Sequence, residues 1–253
     1  HYGEVTERTI NAFRTAYDMG VEIFFVTGRP PRWMPEIKEA FGIGKAICGN
    51  GAQLFDLQNQ KVLEEWLIPI DAQLETVQRL RKVIPQISFA SEAHNYFHRE
   101  KKYVPRWDVG LDNVGVDDIT EIMTSPCLKL LARCSDQELS SDEMLAIATK
   151  ELAGIVTVTH SNPHDSLLEI SAIGVSKGAT LSKMAERLGI NAEDCVSFGD
   201  NPNDISMLEW CGRSYAMADG HPDAHKAAKS IAEPHTDDGV AIIIEELLKL
   251  PPR

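Results

Sequence analysis

Four short apolar segments of this chain each end in a glycine and a polar side chain. They are residues 21–26, 46–48, 195–198 and 214–217. Their near-continuous apolar character is typical of parallel strands that are covered on both faces. Helical stretches such as residues 6–19 separate them, with Thr6 as a candidate N-cap. The alternation predicts an α/β fold built on a doubly wound, Rossmann-like parallel sheet.

The middle of the chain has a different pattern. It contains short strand-like segments at residues 86–90, 128–132, 156–159 and 167–171, with helical stretches near 74–82 and 142–152. This mixture predicts an inserted α+β domain. We therefore expect residues 1–70 and 174–253 to form the core and residues 71–173 to form a cap.

Composition excludes several classes of partner. The formal net charge of −13 argues against nucleic acid and anionic membranes, because both favour a surplus of Lys and Arg. No apolar run approaches the roughly 20 residues that cross a bilayer. The five cysteines include no Cys-x-x-Cys pair, which favours reduced thiols in a cytoplasmic protein. We expect a monomer or a weak homodimer.

The loop at residues 199–204 gathers acidic and amide side chains between a strand and a helix. Asp200, Asp204 and the nearby Asp219 would repel one another without a counterion. Oxygen ligands at the carboxyl end of a strand suit Mg²⁺, which shares its coordination sphere with water and phosphate. The loop therefore predicts a magnesium site and phosphate-ester chemistry. The simpler alternative is that Asp200 forms a turn and Asp204 caps the helix at 205–210.

Lys177 lies in the first turn of a helix that Ser176 is placed to cap. The apolar face of this helix is expected to be Leu181, Met184, Ala185 and Leu188. A cation is unfavourable at a helix N-terminus unless a phosphate or carboxylate lies opposite. Lys177 is thus a candidate phosphate ligand, and a solvated surface lysine is the alternative.

Three further residue groups are expected at the same edge of the sheet. Thr27-Gly28-Arg29 offers a hydroxyl, a backbone amide and a guanidinium, which together can hold a tetrahedral anion. Asn50 follows the second strand, and the amide of Asn203 can donate to a phosphate oxygen. Each group taken alone is equally typical of a turn.

Taken in order, these motifs resemble the haloacid dehalogenase (HAD) superfamily. The motifs are Thr27-Gly28-Arg29, Asn50-Gly51-Ala52, Ser176-Lys177-Gly178 and residues 199–204, with a long insertion between the second and third. The whole chain, including Asp238-Gly239-Val240, is similar to the Cof-type sugar-phosphatase branch with a type IIB (C2B) cap. The resemblance implies that Thr27 binds phosphate, Lys177 neutralises the nucleophile and the phosphate, Asp200 binds Mg²⁺, and Asp204 supports the metal.

The nucleophile of that family is not found in this chain. Family members attack phosphate with an aspartate of an Asp-x-Asp-Gly-Thr motif on the first strand, and residues 1–8 resemble the segment just after it. Either the motif lies upstream of His1, or the protein has lost it and only binds a metabolite. We favour an upstream motif, because its strand would be the centre of the sheet and its absence would leave backbone groups unpaired. Asp219-Gly220 also departs from the Asn-Ala pair of relatives.

The resemblance implies a Mg²⁺-dependent phosphatase of small phosphorylated metabolites such as sugar phosphates, inactive without the upstream aspartate. A hexose-phosphate phosphomutase and a non-catalytic metabolite-binding protein are the alternatives. Substrate selection is expected in the cap. The candidates are a patch of His98, Arg99, Lys101, Lys102, Arg106 and Trp107 and a loop of His160, His164 and Asp165. A solvated charged edge is an equally good interpretation of each.

Overall fold

Three sheets organise the part of the chain that the structure describes. The structure is a computed structural model, and it describes residues 5–93, 96–106, 112–134 and 138–249. The strands are β1 (Phe24–Val26), β2 (Lys45–Cys48), β3 (Gln53–Asp56), β4 (Lys61–Glu65), β5 (Ser88–Ala93), β6 (Tyr96–Arg99), β7 (Lys129–Arg133), β8 (Val156–Thr159), β9 (Leu167–Ala172), β10 (Val196–Gly199), β11 (Arg213–Met217) and β12 (Ser230–Ala232). The helices are α1 (Glu7–Asp18), α2 (Met34–Phe41), α3 (Ile70–Val83), α4 (Ser141–Glu151), α5 (Lys177–Leu188), α6 (Ile205–Trp210), α7 (Pro222–Ala227) and α8 (Gly239–Leu248).

The parallel strands belong to two of these sheets. One sheet has the order β1-β2-β3-β4, in which β1 and β2 are parallel and the rest are antiparallel. The other has the order β10-β11-β12 and is parallel throughout. Helices separate the parallel strands along the chain, so the predicted α/β class is confirmed. The parallel strands are nevertheless divided between two sheets among the described residues.

Among the described residues, strands β1 and β10 lie at the edges of their sheets, and both contact one apolar cluster. Phe25 of β1 and Phe198 of β10 both pack against a group of buried residues from α1, α8 and the segment before β1. That group is Ala12, Ala16, Ile23, Ala241 and Ile244. Strand β1 is shorter than the predicted residues 21–26 because its pairing with β2 begins at Phe24, opposite Lys45.

The third sheet has the order β6-β5-β7-β9-β8 and is antiparallel throughout. One face packs on α3 and α4 through Phe89, Leu130 and Ile170 in the largest apolar cluster. Side chains alternate between the two faces of a strand, so Lys129 of β7 points away from α3 and α4. Glu92 of β5 is its cross-strand partner and points to the same face. Leu131 is likewise paired with Glu169. The face away from the helices therefore carries Glu92, Lys129 and Glu169 beside an apolar cluster that includes Leu131.

Local signals place α1 and α5 much as expected. The hydroxyl of Thr6 accepts from the backbone N–H of Thr9 at 3.2 Å, and Ser176 caps α5 by accepting from Ala179 at 3.1 Å. Met184 is buried as predicted, but Leu188 is 44% exposed, and that prediction is wrong. Helix α5 packs on α6 through its first turn, where a Cβ on Gly178 would lie 2.2 Å from the Ser206 carbonyl oxygen. The last turn is left at the surface.

The five cysteines are all free, and four of them are buried. Burial raises the pKa of the Cys48 thiol to about 12, so this side chain is a small apolar core residue at neutral pH. No helix in the described part of the chain combines the length and apolar character that crossing a membrane requires.

Candidate active site

Asp204 and Lys177 form a buried ion pair at the carboxyl end of β10. Lys177 Nζ lies 2.6 Å from Asp204 Oδ1, and both side chains are almost fully buried. Asp204 Oδ2 accepts from the backbone N–H groups of Asp200 at 3.0 Å and Asn201 at 3.1 Å. The approach requires Gly199, since a Cβ there would lie 2.5 Å from Asp204 Cβ. A surface lysine at position 177 is therefore ruled out.

The same contacts define what Asp204 does. Its side chain makes no N-cap hydrogen bond to α6, but by accepting from the Asn201 N–H it completes a capping box for the short turn Pro202–Asp204 that leads into this helix. Both carboxylate oxygens are already engaged, one by Lys177 and one by the two backbone amides. This arrangement fits a carboxylate that supports a metal and orients Lys177 better than one that binds a metal directly.

Asp200 occupies the rim of the same loop. Its Oδ2 accepts from Asn201 Nδ2 at 2.7 Å, and no Lys, Arg or His of the described residues forms an ion pair with it. Desolvation, followed by the negative charge of Asp204, raises the pKa of Asp200 to about 6, and Lys177 opposes this rise. The carboxylate is a hard oxygen donor without a cation, which fits a Mg²⁺ site.

A chain of buried polar contacts links this loop to the five-stranded sheet. Asn203 Nδ2 donates to Asn50 Oδ1 at 3.1 Å, and Asn50 Nδ2 donates to Glu169 Oε2 at 2.8 Å. Lys129 Nζ donates at 2.8 Å both to Glu169 Oε2 and to the carbonyl oxygen of Gly28. Ser161 donates its hydroxyl to Glu169 Oε1. Asn50 has a φ of 59°, a left-handed conformation that asparagine tolerates better than most residues.

The sequence motifs did not identify Lys129 and Glu169 as site residues. Burial would raise the pKa of Glu169, but the charge of Lys129 and the hydrogen bonds from Lys129, Ser161 and Asn50 lower it to about 2. The carboxylate is therefore ionised at neutral pH although it is 4% exposed. One available signal was a charged residue in the middle of an apolar strand, which is rare without a partner.

The loop Thr27-Gly28-Arg29 is held against Asn50. The Asn50 N–H donates to the Thr27 carbonyl oxygen at 3.0 Å, and the Arg29 N–H donates to Thr27 Oγ1 at 3.1 Å. A Cβ on Gly28 would lie 2.9 Å from Asn50 Oδ1 and 3.1 Å from Glu169 Oε2, so glycine permits the close approach. The guanidinium of Arg29 pairs instead with Glu36 at 3.4 Å on the surface. The predicted anion-binding role of that side chain is not visible in this arrangement.

A cavity of about 130 Å³ adjoins these loops. Asn50, Lys177 and Asn203 line it on one side, and strands β8 and β9 contribute Thr157, Thr159 and Ser171. Three of the predicted site residues therefore share one cavity with uncharged side chains of β8 and β9. A larger groove of about 810 Å³ lies along α3 and includes none of them.

The basic and aromatic patch predicted in the insertion is not one surface. Arg99 donates to the Asn113 carbonyl oxygen at 2.6 Å, Lys101 pairs with Asp117 at 3.0 Å, and Arg106 pairs with Asp165. Burial lowers the pKa of His98. Trp107 lies outside the described residues. The described cations thus have local partners, which favours a structural interpretation of the patch.

Residues 1–244 match the haloacid dehalogenase-like hydrolases. The chain belongs to this family. It is 26% identical over 240 residues to the 5-amino-6-(5-phospho-D-ribitylamino)uracil phosphatase YcsE of Bacillus subtilis, covering 94% of this chain and 86% of that protein. It is 27% identical over 250 residues to the pyridoxal phosphate phosphatase YbhA of Escherichia coli, covering 93% and 89%.

A solved structure in the same superfamily has the same fold. It is the HAD subclass IIB sugar phosphatase BT4131, which matches with a TM-score of 0.76 and 20% identity and covers 97% of this chain and 92% of that one. The family resemblance that the ordered motifs indicated is therefore confirmed, as is the Rossmann-like α/β fold class.

Proposed function

We propose that this protein is a Mg²⁺-dependent phosphatase of small phosphorylated metabolites such as sugar phosphates. The observation that carries the proposal is the buried Lys177–Asp204 pair beside Asp200. It sets a fixed ammonium group next to a carboxylate whose raised pKa favours cation binding, and such perturbed groups are typical of active sites. The two relatives named as phosphatases of small molecules support this reaction class.

The side chains take the following proposed roles. Asp200 would hold Mg²⁺, and Asp204 would support the metal while it orients Lys177. When bound, Mg²⁺ supplies positive charge that stabilises the transferring phosphoryl group. Lys177 would neutralise the nucleophile and the phosphate, and Thr27 would donate its hydroxyl to a phosphate oxygen. Gly28, Arg29, Asn50 and Asn203 complete the proposed phosphate-binding set, in which the exposed Arg29 guanidinium would exchange Glu36 for the anion.

The nucleophile is proposed to be an aspartate upstream of His1. It would attack phosphorus and form an aspartyl phosphate while the ester oxygen leaves with a proton from the second aspartate of the same motif. That aspartate, now ionised, would take a proton from the water that hydrolyses the acyl phosphate. The two exposed edges at β1 and β10 support this proposal, since both strands contact one apolar cluster. A strand inserted between them would join the two sheets into one sheet in which only the pairings of β3 with β2 and with β4 are antiparallel.

We further propose that residues 1–70 and 174–253 form the core and that residues 71–173 form a cap that selects the substrate. The five-stranded sheet, α3 and α4 all lie within or at the edge of the insertion, and the sheet face away from these helices carries Glu92, Lys129 and Glu169. Glu92 forms an ion pair with Arg32, and Lys129 reaches the Gly28 carbonyl oxygen. Closure of this face over the phosphate loop would exclude water from the reacting groups.

The test uses the natural full-length protein and a panel of phosphate esters that includes sugar phosphates and pyridoxal phosphate. We expect phosphate release that requires Mg²⁺ and falls at least about 100-fold in Asp200→Ala. The exposed Asp18→Ala serves as the matched control and keeps full activity. Full activity of Asp200→Ala would refute the metal assignment. A gene without an upstream Asp-x-Asp-Gly-Thr motif would favour a metabolite-binding protein, and turnover without net phosphate release would favour a phosphomutase.

A further inference from the structure

Asp142, His160 and His221 form a compact cluster outside the proposed active site. His160 Nε2 lies 2.7 Å from Asp142 Oδ1, and His221 Nε2 lies 3.3 Å from Asp142 Oδ2. One donor atom from each of the three residues lies within 4.8 Å of the others. Two imidazoles and a carboxylate therefore lie close enough together to bind a single ion after small side-chain movements.

The three residues come from separate parts of the fold. Asp142 lies in the first turn of α4, and His160 directly follows β8 beside the five-stranded sheet. His221 is the N-cap of α7, which follows the strand β11 of the three-stranded sheet. An ion shared by the three side chains would consequently join the insertion to the part of the chain that carries Asp200.

The burial of the cluster distinguishes it from an ordinary surface group. His160 is fully buried, and its Nδ1 has no hydrogen-bond partner among the described residues. The side chain of His221 is 8% exposed, whereas that of Asp142 is 50% exposed and leaves a route for an ion. The nitrogen of His160 that faces Asp142, and so the one available to an ion, is Nε2.

A carboxylate is also placed to orient His221 for metal binding. At present the Asp223 N–H donates to His221 Nδ1 at 3.1 Å, so the neutral ring carries its proton on Nε2. Binding through Nε2 requires that proton on Nδ1, where Asp223 Oδ2 lies 4.0 Å away. A small rotation would let this carboxylate accept it, which is the usual arrangement behind a metal-binding histidine.

We propose that Asp142, His160 and His221 bind a borderline divalent cation, which we assign as Zn²⁺. Two imidazoles and one carboxylate match the ligands that Zn²⁺ takes in proteins, and Mg²⁺ strongly prefers oxygen donors. The bound ion holds the loop after β8 against the loop before α7. The carbonyl oxygen of His160 already accepts from the Asn203 N–H at 3.2 Å, so the ion also lies one residue from a proposed phosphate-site contact.

The test is metal binding by the natural full-length protein without a histidine tag. Zn²⁺ is titrated calorimetrically in excess Mg²⁺, which occupies the oxygen site, and Co²⁺ is followed by its visible absorption. We expect one Zn²⁺ per chain and the stronger Co²⁺ bands of a four- or five-coordinate site with nitrogen ligands. His221→Asn should weaken binding at least about 100-fold, and Asp223→Asn about 10- to 100-fold.

Two controls separate this site from others. His164→Asn, an exposed histidine of the same loop, and Asp200→Ala should both leave Zn²⁺ affinity unchanged. Asp142→Asn tests the cluster from the exposed side if the buried His160→Asn fails to fold. Zn²⁺ binding that survives both His221→Asn and Asp142→Asn, or no Zn²⁺ binding by the folded protein, would overturn the proposal. Binding is measured without turnover, so the result is independent of the proposed phosphatase activity.

Discussion

The substitution Glu169→Gln isolates the charge of a buried carboxylate that contacts Asn50 of the proposed site. Glutamine keeps an oxygen for Asn50 and Lys129, and its amide can donate to the Ser161 hydroxyl, so the shape and most hydrogen bonds survive. The fall in the pKa of Glu169 from 4.5 to about 2 corresponds to about 3 kcal/mol, at about 1.4 kcal/mol per pKa unit. Removing one partner of a buried ion pair costs a similar amount, about 3–5 kcal/mol.

We therefore expect Glu169→Gln to lower the free energy of unfolding by about 3 kcal/mol at pH 7 and the melting temperature by about 6–12 °C. Because the folded pKa lies below the unfolded value, the contribution of Glu169 is complete above pH 4.5 and is lost as the pH falls towards 2. The free energies of unfolding of the wild type and the variant should therefore become more similar as the pH falls across that range.

Urea denaturation at several pH values measures both effects. Glu186→Gln, an exposed carboxylate of α5, is the matched control and should change stability by less than about 0.5 kcal/mol. In a double-mutant cycle with Lys129→Met, the two losses should be clearly less than additive, because each single change leaves the same pair broken. A Glu169→Gln variant as stable as the control at pH 7, or additive losses, would refute the assigned ion pair.

Two other substitutions test the neighbouring contacts. Lys177→Met leaves Asp204 buried without its cation and should lower the free energy of unfolding by about 3–5 kcal/mol in thermal unfolding. The exposed Lys150→Met should have little effect, and equal stabilities of the two variants would contradict the buried pair. Gly28→Ala places a Cβ 2.9 Å from Asn50 Oδ1 and should lower the free energy of unfolding, measured in urea, by about 1–3 kcal/mol. An unchanged free energy of unfolding would show that the loop moves easily to accept the methyl group.

The elements that could be predicted from the sequence depend on local signals. Helix α6 spans Ile205–Trp210 and strand β8 spans Val156–Thr159, both as predicted, because an apolar run and its flanking turn residues define them. Ser176 caps α5 for the same local reason. Side chains at the carboxyl ends of parallel strands also converge for a general geometric reason, which brought Asn50 and Asn203 together.

Other features depend on contacts between distant segments. Lys129 and Glu169 are 40 residues apart, and they meet only because of the register of β7 and β9 and the approach of Gly28. The exposure of Leu188 depends on where α5 crosses α6. The hydrophobic periodicity of α5 does not specify that crossing point. The cluster of Asp142, His160 and His221 joins three segments that share no motif. Such pairings require tertiary structure before their chemistry is visible.

The exposed backbone at β1 and β10 has a practical consequence. Each strand has a hydrogen-bonded neighbour on one side only among the described residues, and the N–H and C=O groups of an open edge are a template for another extended chain. A synthetic peptide with alternating β-branched residues could pair with both edges at once, as in donor-strand complementation. The same edges would also make this stretch of polypeptide, produced on its own, prone to self-association through intermolecular strands.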